Sequence, residues 1–398
     1  MVRIEKIVQN TKSPKAARAK ETLQNFVVII EKELKAYFKS ELKNPFGVSR
    51  KERDLSKLIW EHIKEHNLRP AKRIRGAFIY YGYKLLGGKD EKAALAAAKS
   101  IELVHTALLM HDDFMDQDDT RRGKPTTHEH FKALHKTKDW RFDDLHYGES
   151  MALNVGDIAL LAGYEILARS KFPPNKKLET LNRMLRGVIN TGSGQAFDIT
   201  LEAKGKATEK DIIDLHYAKT GIYTYENPLH TGAILAGAKQ ADLDIISKYA
   251  IPGGIAFQLQ DDILGLYGNP EKTGKPAHSD LRQGKMTLLI IKALESGSSK
   301  DVKRLRQIWG KRNLTESEAE EARKIVIDTG SLDYSKKISV GYAKKAQQAI
   351  HEMTMKQWNN EAIDYLDGIA QYMVERDIYN SLCLAKSKSQ LQTHKKLA

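Results

Sequence analysis

The sequence contains a single cysteine, Cys383, among its 398 residues. One cysteine excludes an intrachain disulfide and indicates no oxidising compartment, so a cytoplasmic location is expected. No uninterrupted apolar run approaches the roughly 18 residues typical of a membrane-spanning helix. The basic N-terminus is not followed by an apolar core and a cleavage pattern, so no secretory signal is expected.

Acidic residues are too few to balance the basic ones: 65 Lys and Arg against 51 Asp and Glu give a formal charge of +14. A field of this sign attracts nucleic acid, anionic lipid or phosphorylated metabolites, and composition does not choose among them. The aspartate clusters described below would repel a nucleic-acid backbone unless cations intervened. We therefore expect no nucleic-acid partner, whereas peripheral contact with anionic lipid stays open.

Persistent strand-like alternation is also lacking, and Ala-, Leu-, Lys- and Glu-rich segments with 3–4 spacing predict an all-α protein. Residues 91–116 contain neither Gly nor Pro and predict the clearest helix. Thr315 and Glu318 have the spacing of a capping box, and Gly330 fits a helix stop. No domain boundary is evident. The expected organisation is a basic N-terminal segment 1–20, one all-α domain 21–385 with a surface insertion at 136–148, and a basic tail 386–398.

The first acidic motif is Asp112-Asp113-x-x-Asp116, at the end of the predicted helix 91–116. At about 100° per residue, Asp112 and Asp116 lie one turn apart on one helix face, with His105 in nearly the same direction. Stacked carboxylates repel each other unless cations lie between them, and Mg²⁺ accepts one or two carboxylates together with phosphate oxygens. A solvated helix end is the simpler interpretation. The apolar residues before Asp112 argue against it, because a buried stem places the carboxylates at the mouth of a cavity.

A second acidic pair, Asp261-Asp262, ends another mostly apolar segment predicted as a helix over 252–266. Gln258 and Asp262 share a helix face, with Asp261 roughly 60° to one side. Basic residues follow both acidic motifs, which adds anion-binding capacity next to each candidate metal site. They are Arg121 and Arg122 after the first motif, and Lys272, Lys275, Arg282 and Lys285 after the second. Two such arrangements suit a diphosphate held between cations.

At these residues the sequence resembles the trans-isoprenyl diphosphate synthases, also called polyprenyl synthetases. The resemblance covers about residues 65–345, and its motifs occur in the order that is typical of the family. They are Ala71-Lys72-Arg73-Ile74-Arg75, His111-Asp112-Asp113-Phe114-Met115-Asp116 with Arg121-Arg122-Gly123-Lys124-Pro125-Thr126, Gly194-Gln195 with Asp198, Lys219-Thr220, Phe257-Gln258-Leu259-Gln260-Asp261-Asp262 and Thr273-Gly274-Lys275.

The resemblance implies a helical bundle with a central catalytic cavity and a Mg²⁺-dependent enzyme, usually a homodimer. It would join isopentenyl diphosphate to an allylic diphosphate by ionisation, condensation and elimination. Catalysis is expected to depend on Asp112, Asp116, Lys219 and Asp261.

Each site residue receives an expected role from the resemblance. About three Mg²⁺ ions per site are expected, held by Asp112, Asp116 and Asp261 with support from Asp113 and Asp262. The allylic diphosphate would be bound by Arg121, Lys219, Thr220, Gln258, Lys275 and Lys285. Isopentenyl diphosphate would be bound by Lys72, Arg75, His105 and Arg122.

Three positions depart from the family's pattern. Ala71 stands where the family usually has Gly, and Gly76 stands where the family frequently has Pro. Gly265 replaces the third carboxylate of the second acidic motif. Many family members share this last change, so we expect activity to survive with altered metal affinity.

The residues five and four before the first motif, Ala107 and Leu108, are not aromatic. Farnesyl-forming members of the family often place an aromatic ring there as the floor of the product tunnel. The resemblance therefore implies a product of geranylgeranyl length or longer. Residues on other helices that could form a deeper floor are not identifiable from the sequence.

Three alternatives come from other classes of protein. A class I terpene cyclase would carry a second metal motif with Asn, Ser or Thr, and Glu, which is not found. A catalytically inactive regulatory subunit tends to lose aspartates from the first motif, and all three are present. A basic RNA- or membrane-binding protein is supported by the net charge alone. The prenyltransferase is the preferred interpretation.

Overall fold

A computed structural model describes residues 13–44, 46–268 and 278–375. In these ranges the chain is helical almost throughout, as predicted. The helices of the N-terminal half are α1 Pro14–Glu41, α2 Arg50–Asn67, α3 Ile74–Leu85, α4 Glu91–Met115, α5 Thr127–Thr137, α6 Asp144–Ala168 and α7 Pro174–Lys204. Those that follow are α8 Glu209–His216, a π-helix Tyr217–Glu226, α9 Asn227–Ala236, α10 Gln240–Tyr267, α11 Ser279–Gln283, α12 Leu288–Ser296, α13 Ser299–Ile308, α14 Glu316–Asp328, α15 Ser331–Met355 and α16 Asn360–Glu375.

Helix α4 lies inside the bundle, packed mainly against α6 and α3, and α10 packs against α15 and the π-helix. The main core is built from large side chains that are fully buried. A smaller apolar cluster joins α10 to α12, α13 and α14. Capping boxes begin several helices: Ser49 with Glu52, Thr208 with Asp211, and the predicted pair Thr315 with Glu318. Gly330, in the left-handed region at φ 74°, separates α14 from α15 as expected.

A π-helix interrupts the ordinary helical geometry between α8 and α9, and the sequence did not predict it. Helix α10 crosses it closely: a Cβ on Gly254 would lie 2.5 Å from the Cα of Gly221 in the π-helix. Of the two early glycines in the predicted helix 252–266, Gly254 serves this close backbone packing and Gly253 faces the ring of Tyr225, so neither marks the start of the helix. Helix α10 begins at Gln240 and continues through Pro252.

A short antiparallel hairpin follows the first acidic motif, with strands β1 Thr120–Arg121 and β2 Lys124–Pro125. Its two turn residues, Arg122 and Gly123, both have positive φ. Two-residue turns of this kind match the twist of the strands that they join. The hairpin holds Arg121 and Arg122 next to the end of α4.

Two expected segments are more helical than predicted. Helix α1 begins at Pro14, and Ala16 and Ala19 are buried, so the boundary expected at residue 20 falls within this helix. Helices α5 and α6 extend into the expected insertion 136–148, leaving only residues 138–143 between them. Trp140 packs edge-on against Tyr147 at 5.3 Å between ring centroids. Residues 136–143 are all exposed, so the segment lies at the surface as expected, although helices extend into it from both sides. The expected tail 386–398 lies outside the described residues.

By length and composition, α4 and α6 are each apolar enough to cross a membrane. In the qualifying windows, 67% of α4 but only 39% of α6 is buried within the bundle. Two such helices are weak evidence for a membrane protein, because buried core helices have the same composition.

Candidate active site

The first acidic motif ends a helix whose stem is buried, as predicted. Helix α4 starts at the N-cap Asp90, whose side chain accepts a hydrogen bond from the N–H of Ala93. Its apolar residues pack in the core, whereas Asp112 is half-buried and Asp116 caps the C-terminus. The carboxylates therefore stand at the end of a buried helix beside a cluster of charged groups.

Two lysines lie among these carboxylates. The Nζ of Lys219, on the π-helix, is 2.8 Å from Asp198 and 3.8 Å from Asp112. Burial opposes the positive charge, but Asp112 and Asp198 outweigh it and raise the pKa of Lys219. Burial would raise the pKa of Asp198, but the positive charges of Lys219 and Lys285 outweigh burial and lower it.

Lys285, which follows α11, completes this arrangement. Its Nζ lies 3.0 Å from Asp116, 2.8 Å from Glu202 and 3.8 Å from Asp198. Burial would lower the pKa of Lys285, yet the three carboxylates outweigh burial and raise it. Burial raises the pKa of Glu202. Glu202 lies one helical turn after Asp198 on α7, a spacing that could have identified it from the sequence, although the motifs did not.

The second acidic motif, on α10, contacts the π-helix next to Lys219. Thr220, next to Lys219, donates a hydrogen bond of 2.7 Å to the side-chain oxygen of Gln258 on α10. Gln258 in turn donates to Asp262 at 3.0 Å. Asp261 is half-buried on the same turn. The π-helix thus contacts both acidic motifs through two consecutive residues.

The second aspartate of each motif is held in a buried pair. Asp113 is completely buried and forms an ion pair with Arg121, whose guanidinium also lies 3.5 Å from Asp112. On α10, Asp262 lies 3.1 Å from the Nε2 of His216. These contacts distinguish Asp113 and Asp262 from the more exposed Asp112 and Asp261, in line with the supporting role that the resemblance implied for the first two.

A cationic cluster lies beside the first motif. The Nη1 of Arg75 is 3.0 Å from the Nε2 of His105, and its Nη2 donates to Thr224 at 2.7 Å. The guanidinium stacks over the ring of Tyr223 at 4.8 Å. Burial and the charge of Arg75 hold the pKa of His105 well below its usual range, so the imidazole is neutral.

Arginines of this cluster lie close enough to repel one another. Burial and the positive charges of Arg73 and Arg121 lower the pKa of Arg122 to about 10. Such a cluster is stable only where anions or carboxylates offset the repulsion. Lys72 is exposed at its edge. The structure therefore brings Arg75, His105 and Arg122 together, with Lys72 three residues before Arg75 on the same segment. The predicted Lys275 lies outside the described residues.

One buried carboxylate organises the segment that carries Lys72 and Arg75. Glu102, on α4, accepts from Arg73 at 3.1 Å and from the backbone N–H of Gly76 at 2.9 Å. Proline at position 76 would lack this N–H, so the departure from the family's pattern has a structural use here. Sequence reasoning missed Glu102.

Within the described ranges, no group of three or more His, Cys, Asp or Glu residues could hold a metal ion by itself. Mg²⁺ characteristically binds through one or two carboxylates, with substrate phosphates and water as its other ligands. Asp112, Asp116 and Asp261 are carboxylates of this kind, and cationic side chains stand ready for phosphate oxygens. The donor set therefore fits Mg²⁺ that arrives with a diphosphate.

Two acidic helix ends facing two groups of cationic side chains, inside an all-α bundle, define an enzyme of the isoprenoid diphosphate synthase class. Comparison with known families agrees: residues 57–326 match the sequence model of the polyprenyl synthetase family. The chain belongs to this family, whose members are trans-isoprenyl diphosphate synthases.

Individual relatives support the same conclusion. The chain is 35% identical over 266 residues to a short chain isoprenyl diphosphate synthase of Methanocaldococcus jannaschii, covering 67% of this chain and 74% of that protein. It is 31% identical to a geranylfarnesyl diphosphate synthase of Aeropyrum pernix, covering 77% and 90%. The crystal structure of geranylgeranyl pyrophosphate synthase from Corynebacterium glutamicum, complexed with isoprenyl diphosphate and magnesium, superposes with a TM-score of 0.83 at 27% identity, covering 89% and 99%.

Proposed function

We propose that this enzyme adds isopentenyl diphosphate to an allylic diphosphate, and that its product is geranylgeranyl diphosphate or a longer polyprenyl diphosphate. The observation that carries the proposal is the pair Lys219-Thr220, which contacts Asp112 of the first motif and Gln258 of the second. An anion between these helices would meet carboxylates and cations from both. Relatives that are named geranylgeranyl and geranylfarnesyl diphosphate synthases support the product class.

Asp112, Asp116 and Asp261 are the residues proposed to hold Mg²⁺. When bound, Mg²⁺ would neutralise the negative charge that develops on the leaving diphosphate. Lys219, Lys285 and Gln258 would bind the oxygens of that diphosphate, and Arg121 would orient Asp112 through its pair with Asp113. We assign Asp113 and Asp262 to this supporting role, because Asp113 is paired with Arg121 and Asp262 lies against His216.

The cationic cluster is the proposed site of isopentenyl diphosphate. Lys72, Arg75 and Arg122 would bind its phosphate groups, and neutral His105 can donate or accept one hydrogen bond. Arg75 is already oriented by Thr224 and by the ring of Tyr223. This arrangement would direct the double bond of isopentenyl diphosphate toward the allylic carbon. The departing diphosphate would take up the proton that is lost afterwards, so no nucleophilic serine or cysteine is needed.

Residues Ala107 and Leu108 bear on product length. Ala107 is fully buried, and Leu108 is half-buried against the main core. Neither presents an aromatic ring to a chain that grows past this helix. We therefore propose that these two residues do not stop the growing chain before it reaches twenty carbons.

The decisive experiment incubates the purified protein with Mg²⁺, labelled isopentenyl diphosphate and allylic primers of three lengths, followed by sizing of the products. Elongation that requires both a primer and Mg²⁺ is expected. A protein that hydrolyses or cyclises the primer without consuming isopentenyl diphosphate would overturn the proposal. Asp112→Asn serves as the inactive control.

We also propose a homodimer in the cytoplasm. Support for a second copy as partner comes from large apolar side chains that α6 and α7 leave exposed: Leu145, Leu153, Leu161, Leu178, Leu185, Ile189 and Ile199. Large apolar side chains that are left uncovered on two consecutive helices are typical of a protein interface. Sedimentation should show a dimer that Leu161→Arg weakens, and an unchanged monomer in both proteins would contradict this assignment.

A further inference from the structure

Arg69, just after the end of α2, fastens the hairpin of residues 120–125 to the bundle. Its Nη1 donates to the carbonyl of Arg121 at 3.1 Å, and its Nη2 donates to the carbonyl of Pro125 at 2.9 Å. The two carbonyls belong to opposite strands of the hairpin. Arg69 is only 4% exposed, and hydrogen bonds in such a buried environment are stronger than in water. One guanidinium therefore holds both strands.

The carboxylate of Glu65, one helical turn before Arg69, fixes the direction of that guanidinium. Glu65 accepts from the Nε of Arg69 at 3.1 Å and from its Nη2 at 2.7 Å. It also accepts from the Nζ of Lys124, in the second strand of the hairpin, at 2.7 Å. Burial would raise the pKa of Glu65, but the hydrogen bonds from Arg69 and Lys124 outweigh burial and lower it to about 2. The ionised carboxylate thus holds Arg69 in a forked geometry that a lysine does not reproduce.

The turn of this hairpin needs support from outside. Arg122 has φ 55°, in the left-handed region that residues other than glycine seldom adopt, and such a conformation persists where the surroundings hold it. Arg69 binds the carbonyl just before Arg122 and the carbonyl of Pro125 just after the turn. The carbonyl of Arg69 also accepts a hydrogen bond from the Nη1 of Arg122 at 3.4 Å. Both the backbone and the side chain of Arg122 therefore depend on Arg69.

Arg121 and Arg122 differ in what else surrounds them. The guanidinium of Arg121 is paired with Asp113 and lies 3.5 Å from Asp112, so carboxylates keep it in place. Arg122 is buried beside other arginines, whose positive charges repel it. Losing the contacts of Arg69 should therefore displace Arg122 more than Arg121.

We propose that Arg69 is a positioning residue for isopentenyl diphosphate: it fixes the hairpin so that Arg122 faces the diphosphate of that substrate. The inference rests on the proposed function, which assigns Arg122 to isopentenyl diphosphate. Arg69 acts through Arg122 and does not touch the substrate, because its donors are engaged by two carbonyls and by Glu65. It precedes the first family motif, which begins at Ala71, so no motif identified it.

The test compares Arg69→Lys with the wild type. Lysine keeps the positive charge, so the repulsion on Arg122 is retained, but it lacks the planar fork that reaches three acceptors at once. The KM for isopentenyl diphosphate should rise about tenfold, because a small displacement of a binding group is costly. The KM for the allylic primer should change less. An unchanged KM for isopentenyl diphosphate in folded Arg69→Lys would overturn the inference.

Arg304→Lys is the control for the loss of a guanidinium pair. Arg304 donates to Glu321 at 2.8 Å in the contact between α13 and α14. Its substitution should lower the unfolding temperature without changing either KM. An equal rise of the KM for isopentenyl diphosphate in Arg304→Lys would reduce the effect to a general loss of stability and overturn the positioning role.

Glu65→Gln provides a second variant in case Arg69→Lys does not fold. It keeps the shape of the side chain but weakens the charge-assisted bonds that orient Arg69. The KM for isopentenyl diphosphate should again rise more than the KM for the primer. Wild-type KM values in this variant and in Arg69→Lys would both count against the inference.

A double-mutant cycle tests whether Arg69 acts through Arg122. Arg122→Gln should raise the KM for isopentenyl diphosphate by itself. Adding Arg69→Lys should raise it little further, because the group that Arg69 positions is already gone. Additive effects of the two substitutions would overturn the inference.

Calorimetric titration with isopentenyl diphosphate separates the two proposals. If the wild type elongates no primer yet binds isopentenyl diphosphate, and Arg69→Lys weakens that binding, the proposed reaction is wrong and the role of Arg69 stands. If the wild type elongates primers and Arg69→Lys has the same KM and the same affinity for isopentenyl diphosphate, the reaction stands and the role of Arg69 fails.

Discussion

Lys285 and Asp116 are 169 positions apart in the sequence, yet the lysine Nζ lies 3.0 Å from the aspartate Oδ1. Together with Lys219, this lysine offsets the repulsion among the carboxylates of the site while no cation is bound. In the proposed reaction, both lysines would exchange these partners for phosphate oxygens when substrate binds. The ligand-free site is therefore prearranged by charges that also serve binding.

Replacing Lys285 with methionine should destabilise the ligand-free protein, by about 3 kcal/mol, because breaking a largely buried ion pair leaves its carboxylates uncompensated. Mg²⁺ with pyrophosphate should raise the unfolding temperature more in this variant than in the wild type, since the cation replaces the lost charge. Thermal unfolding with and without Mg²⁺ measures both effects. Equal shifts in the two proteins would contradict the assigned role.

The adjacent residues Asp112 and Asp113 should separate catalysis from stability. Asp112→Asn should lower kcat by about 100-fold or more, because transition-state charge loses a stabilising partner, with little change in stability. Asp113→Asn should lower the free energy of unfolding by about 3 kcal/mol, because Arg121 loses its fully buried partner. Steady-state kinetics and denaturant titrations of both variants provide the measurement. Identical profiles would mean that the two carboxylates share one role.

Glu102 should act through the segment that holds Lys72 and Arg75. Glu102→Gln breaks the buried pair with Arg73 and is expected to cost about 3 kcal/mol of stability. The KM for isopentenyl diphosphate should rise while the KM for the allylic primer stays unchanged. Glu33→Gln, whose partner Lys99 lies near the surface, is the control and should cost less than about 1 kcal/mol. A parallel rise of both KM values would refute a local role.

Aromatic substitution before the first motif should shorten the product. Ala107 is fully buried, so Ala107→Phe places a large side chain in a packed position. The substitution should therefore also lower the free energy of unfolding by about 1–3 kcal/mol through overpacking. Leu108→Phe starts from a half-buried position and should change the product with less loss of stability. Chromatographic sizing of the products tests both variants. Wild-type product length in both would show that these residues do not line the tunnel.

Stability should fall as the pH drops below about 6.5. Burial and the charge of Arg183 lower the pKa of His230 to about 3, whereas an unfolded histidine titrates near 6.5. Between these values the unfolded chain binds a proton that the folded chain does not, so acid favours unfolding by about 1.4 kcal/mol per pH unit for this residue. Denaturant titrations at pH 7.5, 6 and 5 measure the slope.

His230→Gln provides the control for this pH dependence. Its absolute stability should fall, because His230 contacts the carbonyl of Leu243 and the hydroxyl of Ser247. The pH slope should nevertheless be smaller than that of the wild type by one proton. An unchanged slope would place the acid sensitivity elsewhere, for example on His62, whose pKa is lowered to about 2 by burial and by His130 and His66.

Helix type and approximate position were predictable because local signals specify them. The capping box at Thr315 and Glu318, the stop at Gly330 and the uninterrupted segment 91–116 each depend on residues a few positions apart. The early glycines of the segment 252–266 misled the prediction of its start, because their use depends on residues of other helices. Gly254 and Gly221 are 33 positions apart and meet only when α10 crosses the π-helix.

Site residues divide in the same way. The aspartates and the principal basic residues were identifiable because their order resembles a family, and spacing on one helix placed Asp112 beside Asp116. Glu102, Tyr223 and Thr224 carry no such local pattern. Their contacts with Arg73 and Arg75 connect α3 with α4 and the π-helix, so only the folded chain reveals them.

By itself, the sequence determined the helical class, the family and the charged residues that are expected to bind a diphosphate. Composition, periodicity and motif order are properties of the chain that do not depend on its folding. Only the tertiary structure decided which carboxylates stay available and which are buried in pairs, since that depends on the side chains that distant helices bring near them. Asp112 and Asp113 show the difference: they are adjacent along the chain, whereas in the folded protein only Asp113 is fully buried against Arg121.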